Sequence, residues 1–107
     1  MSGTISLSPT IRWSAASWLF DWVLTSLAET VEDAELSGEL TGIVGENLGW
    51  LGLDDLTDNQ RAVLLRNLGG GLRARAERAF PAAMQGRDDA LRHLHELSLL
   101  AVNIICR

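Results

Sequence analysis

The chain has 107 residues, 47% of them hydrophobic, with 14 acidic against 9 basic side chains and a net charge of −5. That length suits a single domain with one core, and the apolar content excludes a disordered chain. No apolar stretch approaches the ~20 residues of a bilayer-spanning helix, and Met1–Ser8 lacks the charged and apolar regions of a secretory signal. The single cysteine, Cys106, has no internal partner for a disulfide, so a cytoplasmic location is expected.

In chain order, residues 1–7 read as a flexible or extended tail. Ser8 and Pro9 then suit the N-cap and first position of a helix over 9–30. At 100° per residue, Trp13, Ala16, Leu19, Phe20, Val23, Leu24, Leu27 and Val31 share its apolar face, with Ser14, Ser17, Asp21, Thr25 and Ala28 opposite. Trp18 and Trp22 fall at the edge of that face, flanking Asp21. They either complete the core with their N–H groups in water or form an aromatic pair beside an acid on a binding surface.

A second helix is expected over 34–48, with Leu36, Leu40, Ile43, Val44, Leu48 and, beyond its expected end, Leu51 at helical spacing. Gly38, Gly42, Gly45, Gly49 and Gly52 form a stripe on its other side. Each interior glycine costs about 1 kcal/mol against alanine, so the stripe implies either close approach by another backbone or an early helix end with Gly49 as the left-handed residue. Gly49 to Gly52 reads as a turn.

Thr57 and Gln60 match a capping box opening a helix over 58–68. Gly69-Gly70-Gly71 interrupts it, yet Leu65, Leu68, Leu72, Ala76 and Ala79 keep one helical phase, which predicts a kinked or broken pair with the second member over 72–80, before Pro81. Asp88 reads as the cap of a last helix over 89–105, with Leu91, Leu94, Leu97, Ser98, Ala101, Ile104 and Ile105 facing the core. Leu97–Cys106 is apolar nearly all round, which marks this helix as the most buried; a strand over 101–106 is the alternative. The expected fold is all-α, a single-domain bundle of four to five helices.

No motif carries chemistry. His93 and His95 would point about 160° apart on a helix and cannot share a metal there. No serine has a nucleophile-elbow frame, and Gly69–Gly71 lacks the Lys-Ser/Thr of a phosphate loop. Arg61, Arg66, Arg73, Arg75 and Arg78 form a basic strip, but without aromatic residues for stacking and in an acidic domain they do not argue for nucleic acid. No catalytic, cofactor or metal site is therefore assigned, and an enzyme built from Asp21, His93 and arginines has no specific support.

The informative feature is charge segregation. Asp21, Glu29, Glu32, Asp33, Glu35, Glu39, Glu46, Asp54, Asp55 and Asp58 lie between Trp13 and Gln60 with no basic residue among them, and eight of the nine arginines follow. Either the second half neutralises the first internally or a basic partner does so. In size, acidity and helical pattern the chain resembles the small bacterial immunity proteins that neutralise nuclease toxins, including those of contact-dependent growth inhibition. No motif defines that group, so no residue role carries over. The resemblance implies an inhibitor that binds a basic toxin domain and blocks its active site. Trp18, Asp21, Trp22, Glu29, Glu32, Asp33, Glu35 and Glu39 are the expected contact surface. Asp54, Asp55 and Asp58 are the second choice, since helix capping accounts for them. Neither nucleic acid nor membrane is an expected partner, and the free chain is expected to be a monomer or weak homodimer. The rival reading is a structural or adaptor subunit, homodimeric through the glycine stripe or the Trp18/Trp22 flank.

Overall fold

A period of two, not of 3.6, governs the start of the chain. In Ile11–Ala16 the buried Trp13 and Ala15 alternate with the exposed Arg12, Ser14 and Ala16, the signature of a half-buried strand. The computed structural model describes residues 2–105; the readings on Cys106 lie outside them. Strand β1 (Ser2–Ser8) pairs antiparallel with β2 (Ile11–Ala16), with Ile5 opposite Trp13 and Gly3 opposite Ala15. Pro9 and Thr10 form the turn between them, and the Ser8 hydroxyl accepts from the Ile11 amide at 3.1 Å. The Ser8-Pro9 pair thus starts a turn rather than a helix; both uses suit a serine followed by a residue with φ preset near −65°. A bulge between Ser6 and Ser8 leaves Leu7 as an extra residue, buried with Ile5.

A third strand, β3 (Trp50–Gly52), joins β1 on its other edge in parallel, pairing Thr4 with Trp50 and Ile5 with Leu51. The sheet order is β2-β1-β3. The expected all-α bundle is therefore corrected to a mixed α/β fold of five helices on a small three-stranded sheet. The segment expected to trail as a tail is the middle strand, and the turn expected at 49–52 is an edge strand.

Helix α1 spans Ser17–Thr30, shorter than the 9–30 expected because β2 occupies the first part of that range. Its Leu19, Phe20, Val23, Leu24 and Leu27 are buried, and it packs against β1, β2, α2 and α3. Helix α2 (Ala34–Gly45) is capped by the Asp33 carboxylate, which accepts from the amides of Glu35 at 3.0 Å and Leu36 at 3.3 Å. Leu36 and Leu40 face α1, and the Ser37 hydroxyl donates to the Ala28 carbonyl at 2.9 Å. The helix stops three residues before the expected Leu48. Asn47 (φ 55°) and Gly49 (φ 67°) adopt left-handed conformations that turn the chain back into β3.

After a 3-10 turn (Leu53–Asp55), α3 spans Asp58–Gly69 and carries the expected capping box: the Gln60 amide donates to Thr57 Oγ1 and the Thr57 amide to Gln60 Oε1, each at 3.2 Å. Gly71 (φ 86°) breaks the chain before α4 (Leu72–Ala79). Helix α5 spans Arg87–Ile105, so Asp88 lies in its first turn rather than at the cap. Leu91, Leu94, Leu97 and Ala101 are buried. Leu99, Val102 and Ile105 are 50%, 38% and 49% exposed, so α5 is not the innermost helix. It packs against α3, α4 and β2, while α1 is wrapped by two helices and two strands.

Candidate functional site

The eight side chains expected to form one contact surface are divided among five places. Trp18 and Trp22 lie one turn apart on α1 and both pack on Phe80 at the end of α4, with ring centroids 5.8 and 5.0 Å away. Trp22 is half-buried, and Trp18 remains 49% exposed. Next to them a groove of about 510 Å³ runs between α1 and α4, lined by Trp22, Glu29, Arg75 and Arg78. Arg75 donates to the Ser26 carbonyl at 3.4 Å and to the Thr30 hydroxyl, while its second terminal nitrogen is buried without a partner. Desolvation lowers the Arg75 pKa; the charge of Glu29 opposes this shift and that of Arg78 adds to it. Glu29 is therefore answered by basic groups of the same chain.

Asp21 lies elsewhere, half-buried in a cleft with Ser2, Asn47 and Gly49. It shares no site with His93, whose ring stacks on Trp13 at 4.7 Å and whose two nitrogens face the Ser14 carbonyl and the Glu96 carboxylate. Glu32 and Asp33 border a cleft with Val63, Arg66 and Asn67, where α1 turns into α2. Glu35 is exposed on the first turn of α2.

Glu39 belongs to a groove of about 440 Å³ between α2 and β3. Sequence reasoning missed this site. Leu36, Leu40 and Leu51 form its buried floor, Ile43 and Leu56 its half-buried sides, and Leu48 and Trp50 stand at its mouth, 59% and 42% exposed. Glu46 and Asp55 join Glu39 among the lining side chains, and no basic side chain does. The available signal was Trp50, a large aromatic bracketed by glycines, together with the early end of α2.

Three arginines pair with carboxylates elsewhere. Arg61 lies 3.7 Å from Asp54 and 2.8 Å from Asp58, Arg73 lies 3.2 Å from Glu77, and Arg92 lies 3.6 Å from Asp89. Among the described residues, no ion pair within 4 Å involves Glu32, Asp33, Glu35, Glu39 or Glu46. Among the described residues the α2 side is thus left anionic, and Arg61 pairs with Asp54 and Asp58 but not with Asp55. No group of three or more potential metal ligands occurs among the described residues, and no helix there is long and apolar enough to cross a membrane. No protein-family model, curated protein or solved structure matches the chain.

Proposed function

We propose that this chain is a toxin-neutralising immunity protein, which binds a basic toxin domain, of nuclease type, in the cytoplasm and blocks its active site with an acidic surface. The supporting observation is the set of carboxylates on and before α2, from Glu32 to Glu46, which have no ion-pair partner within 4 Å among the described residues, while Arg61, Arg73 and Arg92 engage Asp54, Asp58, Glu77 and Asp89. Carboxylates can stand in for phosphates on a nuclease, and their field speeds encounter with a cationic protein. Support for an acidic contact is strongest at Glu35 and Glu39; Glu32 and Asp33 share a cleft with Arg66, Glu29 shares a groove with Arg75 and Arg78, and Asp21 lies in a separate cleft.

The decisive experiment looks for a neighbouring gene that encodes a basic, nuclease-like C-terminal domain and mixes that domain with the chain; the absence of any such gene counts against the proposal. Equimolar addition is expected to abolish cleavage of nucleic acid by that domain. Full cleavage in the presence of excess chain overturns the proposal. A second reading, a homodimeric adaptor, draws on the glycine face of α2, where a Cβ at Gly38, Gly42 or Gly45 would meet nothing within 4 Å. A stable homodimer in sedimentation without any partner favours that reading.

A further inference from the structure

We infer that the groove between α2 and β3 seats a basic amphipathic helix of the partner protein, an inference that rests on the binding-protein reading above and names the element it grips. Two large side chains, Leu48 and Trp50, stand exposed at the mouth of an apolar floor that they do not fill. Such a surface is stabilised when an apolar side chain covers it. The rim selects what that side chain is attached to. Glu39 and Glu46 are two helical turns apart on one side of α2, about 10 Å along the axis, and Asp55 faces them across the groove. Cationic side chains flanking an apolar stripe match this rim.

A second copy of this chain does not, because its net charge of −5 would be brought against three carboxylates. A helix fits better than an added strand. β3 is only three residues long and offers a short ladder, whereas α2 lines one whole side of the groove. At Gly42 an added Cβ would meet nothing within 4 Å, so this lining residue leaves room for a helix to lie close to α2. Trp50 already holds one cation: the Arg12 guanidinium sits 5.5 Å from its ring centroid.

The test uses a synthetic amphipathic peptide of about four helical turns, with leucines at i, i+3, i+4 and i+7 spacing and lysines between them. A scrambled peptide of identical composition serves as the control. Isotope-labelled chain is titrated with each by NMR. The ordered peptide is expected to bind at least about tenfold more tightly than the scrambled one, shifting the amides of Ile43, Leu48, Trp50 and Leu56. Leu48→Ser, in an exposed turn, and Glu46→Gln are each expected to weaken it several-fold while the far-ultraviolet spectrum stays unchanged. Equal binding of both peptides, with shifts centred on Glu32 and Glu35, overturns the groove inference, as does no binding at all. A Leu48→Ser, Glu46→Gln double variant that inhibits the toxin domain as well as the parent also overturns it while leaving the acidic-surface proposal standing. Failure of the unmodified chain to inhibit that domain sinks the proposal instead, and does so whatever the peptides do.

Discussion

Gly3 illustrates how much one position can decide. A Cβ built there falls inside the Phe20 side chain, so β1 lies against α1 only because residue 3 has no side chain. Phe20 is 1% exposed and its surroundings are packed, leaving little room for retreat. Gly3→Ala is expected to lower stability by about 1–3 kcal/mol, the usual cost of overpacking a core, read as a drop in the urea midpoint. An unchanged midpoint would mean that β1 is not docked as described. Gly38 is the opposite case. It is exposed on α2 with open space around it, and its φ is not left-handed. Gly38→Ala should raise stability by about 0.5–1 kcal/mol through helix propensity alone; a loss would point to a close contact across the glycine stripe, as the homodimeric reading requires. These two glycines are alike in the sequence, and only their neighbours in space separate them.

Among the elements, the hairpin of β1 and β2 is attached to α5 at one point. The Trp13 indole donates to the His93 carbonyl at 3.0 Å and stacks on the His93 ring, which also meets the Ser14 carbonyl. His93→Ala removes the stack and the contact with Ser14 while keeping the main-chain acceptor. The expected loss is about 1–2 kcal/mol, from one hydrogen bond and one aromatic pair, measurable by thermal unfolding with faster amide exchange in β2. The helices were largely legible in the sequence because their determinants are local. The Thr57–Gln60 capping box and the Gly71 break each act within a few residues. The strands were not. Trp13 suits a period of two and also falls in phase with the true helical face of α1 at Leu19, Phe20 and Val23. Ile5 and Leu7 gave too short an alternation to stand against a serine-proline helix start. Tertiary pairing with Trp50–Gly52 settled the matter.

At the level of the whole molecule, the charge asymmetry persists after folding, but not uniformly. Arg75 and Arg78 of α4 share a groove with Glu29, while α2 keeps its carboxylates facing water. Surface ion pairs such as Arg73–Glu77, with both side chains about half exposed, add little to stability. Under the proposed function, the segregated charge acts mainly on the rate of encounter with the partner. Replacing Glu32 and Glu35 with lysine and Asp33 with asparagine, which retains an acceptor for the α2 cap, should slow association with the basic toxin domain about tenfold at low salt. The difference should shrink as ionic strength rises and screening sets in. Stopped-flow measurement at two salt concentrations checks this, and equal rates at low salt would remove the surface from consideration.

Of the candidate site, the anionic character was legible in the sequence, because net charge and its order along the chain survive folding. So were the Thr57–Gln60 capping box and the break at Gly69–Gly71, which depend on neighbours a few positions away, whereas the caps expected at Ser8 and Asp88 did not form. Folding alone determined that residues 4 and 50 lie side by side, that Asp21 and Glu29 lie in different clefts from the α2 carboxylates, and that Leu48 and Trp50 flank an acidic-rimmed groove. The pairing of β1 with β3 and the approach of Arg75 to the end of α1 join segments more than forty residues apart, for which no local pattern carries the information.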